Sequence, residues 1–366
     1  MNRYFKSFLL FIFIAGCIEP YDFVIKDVRP GIVIDAHLSD KSFHETQAYP
    51  SDGIYPSVRL SRTGDVKNSR AEPISGALVE LIDDQGGAYP FAEQGDPGHY
   101  IITDPDFHAV TGVGYKLRVS VEGEAVIESS WETLPGEQEP IGTVGFHEVV
   151  RPMYKHEAND QVVKDVKGVE TFVNVPPNTA GDPVFYRWSF EPTFIFVAPL
   201  ASSSTPISKC WIRNAPYLLE YAIREDHTGG YEQPLFFMET IRNYFIYHEF
   251  SALVRQHVLT REHFQFWKEM KERNQGGFLQ DTPPYNLKSN FEVISGDVSA
   301  FGYFAPVRET ATRWYLVRSD LSYAVEDTGR ADCLAPKMGP PTPQCIDCRD
   351  YEWGGNSTNV APTWWR

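Results

Sequence analysis

Hydrophobic and polar positions divide this chain into three regimes. The first is an unbroken apolar run, Phe8–Ile14, preceded by Arg3 and Lys6 and followed by the small residues Ala15-Gly16. A charged start, a short apolar core and small residues before a cut predict a secretory signal peptide over 1–16. The run is too short to cross a bilayer as a helix, which takes about 20 residues. The second regime, from Gly31 to about Leu134, alternates with period two in short segments. Ser57–Ser61, Leu78–Ile82 and Tyr115–Val121 are separated by turns such as Asp83-Asp84-Gln85-Gly86-Gly87 and Glu122-Gly123-Glu124. Short strands at this spacing predict an antiparallel β-sandwich.

The third regime begins after the breaker-rich Pro135–Pro140 and is again strand-like, with more aromatics. Strands are predicted at Thr143–Val149, Val169–Val175, Val184–Phe196 and Tyr217–Arg224. Phe236–Leu253 has no settled period and reads as two strands with a turn near Asn243 or as some other apolar segment. Phe264, Trp267 and Met270 recur at helical spacing behind Thr260, a good N-cap, and predict a helix over Arg261–Asn274. Closing strands follow at Phe291–Ser295, Ala300–Val307 and Ala311–Val317. Residues 331–366 are rich in Cys, Pro and Gly and predict an irregular tail. The expected organisation is a signal peptide (1–16), a tether (17–30), the sandwich (31–135), a larger β-rich domain with one short helix (136–330) and the tail (331–366) packing on it.

Composition adds compartment and charge. The 366 residues carry a net charge of -16, or -18 once Arg3 and Lys6 leave with the signal. Such a surface is repelled by nucleic-acid phosphates and anionic headgroups, which excludes nucleic acid as a partner and a basic patch as a membrane anchor. Ile14-Ala15-Gly16-Cys17 resembles a bacterial lipobox, which implies cleavage before Cys17, acylation there and attachment to a membrane by lipid. Four cysteines remain: Cys210, Cys333, Cys345 and Cys348. An even number in an exported chain predicts disulfides whose pairing the sequence leaves open; a four-thiolate zinc site is the alternative, with one close pair where such sites usually have two.

Candidate chemistry is sparse. No nucleophile elbow and no phosphate-cradling loop is present. His44-Glu45, His147-Glu148 and His248-Glu249 each begin like a metalloprotease motif, but none has a second histidine three residues on. His248 and His257 are nine apart, which is not a helical ligand spacing. Asp83-Asp84 and Asp104-Pro105-Asp106 lack the alternating carboxylates of a calcium loop and read as turns. No catalytic residue, metal site or cofactor is expected. Trp353, Trp364 and Trp365 stand in the irregular tail and are candidate binding aromatics, because exposed aromatics anchor sugars and peptides.

Two resemblances extend these readings. Pro73-Ile74-Ser75-Gly76-Ala77, Gly98-His99-Tyr100 and Gly112–Val119 resemble the immunoglobulin-like, or carboxypeptidase-regulatory-like, sandwiches of exported proteins. Gly181–Trp188, Phe266-Trp267-Lys268, Gly276–Pro284, Lys288-Ser289-Asn290, Gly302-Tyr303-Phe304 and Cys345-Ile346-Asp347-Cys348-Arg349 occur in an order that resembles the Bacteroidota lipoproteins of the domain of unknown function 4249 family. That family has no established activity and so no catalytic residues to carry over. The resemblance implies a non-enzymatic protein anchored in the outer membrane by lipid, exposed on the cell surface, and accessory to a TonB-dependent barrel with a nutrient or peptide ligand. A surface-anchored hydrolase of glycans or peptides is the alternative, and an envelope scaffold or adhesion protein a third.

Overall fold

The structure, a computed structural model, describes residues 31–63, 72–157, 160–178, 181–213, 218, 220–241, 243–275, 288–335, 339–352 and 355–366. Cys17, Trp353, the tether and the Gly276–Pro284 stretch lie outside them. Strands dominate. In chain order they are β1 (Gly31–His37), β2 (Ser57–Arg62), β3 (Glu72–Pro73), β4 (Leu78–Asp83), β5 (Ala88–Glu93), β6 (His99–Ile101), β7 (Gly114–Val121), β8 (Ala125–Ser129) and β9 (Glu132–Thr133). There follow β10 (Val144–Glu157), β11 (Asp160–Val175), β12 (Val184–Val197), β13 (Lys209–Arg213), β14 (Ala222–Asp226), β15 (Tyr231–Glu239) and β16 (Phe250–Leu259). The last four are β17 (Phe291–Ser295), β18 (Ser299–Phe301), β19 (Arg308–Leu316) and β20 (Asn356–Thr358).

The first unit is a ribbon of strands in the order β17-β8-β7-β4-β5-β6-β2-β1-β18, folded on itself as a sandwich. Its core takes the inward positions of the alternating segments: Ile32 and Ile34, Val58 and Leu60, Val79 and Leu81, Leu117 and Val119. Two of its strands come from far along the chain. β17 pairs antiparallel with β8, and β18 pairs parallel with β1. The segment 288–307, expected in the second domain, therefore completes the first. Asn290 holds it there, accepting from the Phe304 amide (2.9 Å) and donating to the Phe304 carbonyl (2.7 Å). Phe304 is itself a buried member of the sandwich core. Gly302 is needed at the bend: its φ is 128°, and a Cβ there would lie 2.0 Å from the Ile34 carbonyl oxygen.

The second unit is a six-stranded sheet, β19-β16-β12-β13-β20 with β14 beside β12, covered on one face by a three-stranded sheet, β10-β11-β15. Alternation along β12 explains the covering: Tyr186, Trp188, Phe190, Phe194 and Phe196 enter a core shared with Val169, Val173, Phe236 and Met238. The unsettled stretch resolves into β15 and β16, with Asn243 capping the 3-10 turn between them. β16 is buried along all ten residues because both its faces are covered. Its second face meets the first sandwich and the helix Arg261–Gln275, whose Thr260 hydroxyl accepts from the His263 amide (3.3 Å) as the N-cap reading required.

The tail is stapled by two disulfides, Cys210–Cys348 and Cys333–Cys345. It includes short helices at Thr328–Leu334 and Pro343–Ile346, and β20 adds to the edge of β13. A short helix, Phe43–Ala48, interrupts the strands, and its signal is legible in the sequence. Ser42-Phe43-His44-Glu45 forms a capping box, Ser42 accepting from the Glu45 amide and Glu45 from the Ser42 amide. No helix among the described residues is long and apolar enough to cross a membrane.

Candidate functional site

The seam between the two units is polar, and β register builds it. Arg187, Ser189 and Glu191 share the outward face of β12; Arg255 and His257 share that of β16, where His257 pairs with Glu309 of β19 and with Arg187 of β12. The sandwich contributes His37 from the end of β1. Beyond it Leu38–Asp40 runs along β19: the Val307 amide donates to the Leu38 carbonyl (2.9 Å), and Asp40 accepts from the Glu309 amide (2.8 Å). His37 is thereby set against Glu309.

Glu309 has no solvent exposure. One oxygen accepts from Arg255 (2.6 Å), whose Nε also donates to Glu191 (2.8 Å). The other lies 3.3 Å from His37 Nε2 and 3.4 Å from His257 Nε2. Burial alone would raise the Glu309 carboxyl, but His257, His37 and Arg255 outweigh it and hold it well below the ordinary carboxylate range. Burial also favours the uncharged form of His257, whose pKa falls to about 4, leaving it a neutral imidazole at pH 7. Arg255 moves the other way: burial would lower it, and Glu309 and Glu191 raise it.

A cavity of about 250 Å³ opens beside this cluster, lined among others by Asp35, His37, Arg187, Glu191, His257 and His263. Arg187 lies 3.8 Å from the centre of the Trp267 ring, a close cation–π contact. Trp267 donates its indole N–H to His263 Nε2 (2.8 Å), so the His263 proton is on Nδ1. Burial, with the charge of Arg187, lowers His263 to about 3. His263 Nδ1, His37 Nε2 and Arg187 Nε are buried without a hydrogen-bond partner. Unsatisfied polar atoms around one cavity mark it as a place for a ligand or ordered water.

The residues singled out in the sequence lie elsewhere. Trp364 and Trp365 are half-buried against the six-stranded sheet. Trp364 donates to Asp52 (2.9 Å) under Arg313, and Trp365 donates to Glu249 (3.2 Å). They close the tail onto the body. The His-Glu dipeptides are dispersed: His44 meets Asp106, His147 meets Glu232, and Glu249 holds the last residues. Asp83 is occupied by its own turn, accepting from the amides of Gln85 and Gly87 and from Tyr89. What the sequence reading missed is the seam cluster. His37, His257 and Glu309 are 52 to 272 positions apart, and the one local signal is the i, i+2 spacing of Arg255 and His257 on a strand buried on both faces.

A second feature stands on the opposite layer. The β10–β11 ladder continues past Gly168, where β15 stops, out to the Glu157–Asp160 pair. One face of this arm carries Val150, Pro152 and Tyr154 in a row along β10, with Tyr154 72 % exposed and opposite Val163, while Lys167 and Asp165 stand opposite Val150 and Pro152. Among the described residues no strand pairs with the outer edge of β10.

Two β units joined by a charged seam, with a projecting hairpin and a disulfide-stapled tail, define a mainly β protein. The chain matches the family described as Domain of unknown function (DUF4249) over residues 18–313, and it belongs to that family. The match ends within β19, so the stapled tail lies outside it. Neither the curated proteins nor the solved structures include a match to the chain.

Proposed function

We propose that this chain is a lipoprotein, held at the surface of the outer membrane by lipid on Cys17, that docks onto a TonB-dependent barrel and helps it take up a nutrient or peptide. The observation that carries docking is the projecting β10–β11 arm. An apolar row on an exposed hairpin, beside an unpaired strand edge, is the kind of surface a β-rich partner covers by strand addition and side-chain packing. The arm's distal run, Val150–Glu157, spans roughly 25 Å at about 3.4 Å per residue. Residues 17–30 add a tether of up to about 50 Å between Cys17 and β1, enough to reach a neighbouring membrane protein. The lipobox-like Ile14–Cys17 and the acidic surface agree with attachment by lipid and not by basic residues.

The test is gentle-detergent extraction of the tagged protein from its own membrane and identification of what stays bound. A barrel retained in stoichiometric amount, and lost when Tyr154 and Val163 are both changed to Asp, supports the reading. Both side chains are exposed, so the double variant should keep its unfolding free energy within about 0.5 kcal/mol per site. Replacing Cys17 with Ser should move the protein to the soluble fraction; continued membrane retention overturns the lipid anchor. A protein extracted alone overturns the docking reading and favours a surface hydrolase, which draws on the seam cavity where carboxylates and imidazoles converge.

A further inference from the structure

We infer that His37, His257 and Glu309 bind one divalent transition-metal ion of the zinc class at the seam between the two units. This goes beyond the docking reading and does not rest on it. The three donor atoms lie within 4.8 Å of one another. Zinc bonds of about 2.1 Å at a tetrahedral angle place neighbouring donors about 3.4 Å apart. The separations from the Glu309 oxygen, 3.3 Å to His37 and 3.4 Å to His257, already match that edge. The pair of imidazole nitrogens has to close by a small rotation. His37 is the member free to make it, its side chain being 23 % exposed while the other two are nearly or wholly enclosed.

A purely structural ion network explains the cluster less well. Arg255 donates to one Glu309 oxygen and to Glu191. The second oxygen is left with a 3.4 Å contact to His257, longer than a good N–H···O bond, and with His37 Nε2, which makes no hydrogen bond at all. Two imidazoles aimed at one carboxylate oxygen is a poor hydrogen-bond arrangement and a good donor set. Two histidines and one carboxylate suit zinc and its neighbours in the first transition row, and bound to three protein atoms such an ion keeps a position for a ligand. Arg255, bonded to Oε1, would fix the carboxylate as an outer-shell partner. Apart from the imidazoles, the formal charges around the site, Glu309, Glu191 and Asp35 against Arg255 and Arg187, leave one net negative charge.

The experiment is calorimetric titration of Zn²⁺ into the chelator-stripped full-length mature chain, with Co²⁺ absorption as a second readout of coordination. One ion per chain is expected. His37→Ala and His257→Asn should each weaken binding by more than the roughly 10–100-fold that loss of an outer-shell partner costs. His147→Ala, on the exposed hairpin, should bind as the parent does. If His257→Asn fails to fold, His37→Ala, at the accessible edge of the cluster, carries the test. No stoichiometric ion in the parent chain, or undiminished binding in a folded His37→Ala, overturns the assignment. Loss of binding in His147→Ala with retention in His37→Ala places the ion on the surface and overturns it equally.

Discussion

Glu309 and Arg255 show how much one buried residue carries. A wholly enclosed carboxylate is tolerable because a guanidinium sits 2.6 Å away, and that guanidinium depends on the carboxylate in turn. Breaking such a pair leaves a buried charge uncompensated, which typically costs 3–5 kcal/mol. Glu309→Gln, unfolded in urea with a chelator present, should lose stability on that order, while Glu191→Gln, at the exposed end of the chain of pairs, should lose clearly less. His263 gives a pH signature of its own. Its folded-state pKa of about 3 lies below the unfolded value of about 6.5, so acidification protonates the unfolded chain first. Stability on this account is complete above pH 6.5 and drains away as pH falls from 6.5 towards 3. In His263→Gln, which does not titrate and still offers Trp267 an acceptor, the urea midpoint should fall less between pH 7 and pH 4.5. An equal fall in both would remove His263 as the source.

Among the elements, the strands and the long helix were the legible part. Ser57–Ser61 alternates cleanly and became β2; Thr260 and the Phe264/Trp267/Met270 spacing placed the helix to within a residue of its end. Less legible was how far a strand runs when half of it leaves the body. The pattern predicts a strand over Thr143–Val149 only, yet β10 continues to Glu157, because Val150–His156 has no buried face to make an alternation conspicuous. Least legible was the seam, since nothing in the order of residues brings His37 to His257; only the pairing of β16 with β19, and the run of Leu38–Asp40 beside it, does so. Disulfide formation was expected and the partners were not, because proximity in the fold decides them. Those partners now differ in consequence. Cys210–Cys348 spans 138 positions and Cys333–Cys345 only 12. On loop-closure entropy alone the longer bridge should contribute about 2 kcal/mol more. Paired Ser variants of each bridge, compared by denaturant midpoint, should rank in that order; the reverse ranking would mean that native-state contacts in the tail dominate.

For the whole molecule, the decisive arrangement is that the first sandwich is discontinuous. Residues 31–135 lack β17, β18 and the core side chain Phe304, so a fragment ending there exposes both β1 and β8 as bare edges. Expressed alone, that fragment should aggregate or show weak, non-cooperative unfolding. The same fragment with 288–307 supplied through a linker should unfold as one transition; cooperative folding of the shorter piece would contradict the arrangement. There is a consequence in time as well. A ribosome adds roughly 5–20 residues per second, so about 10–30 s separate the emergence of residue 135 from that of residue 301. Through that interval the earliest-made sheet waits, incomplete, for its final strands. The part synthesised first therefore cannot lock into its finished shape before nearly the whole chain has been made.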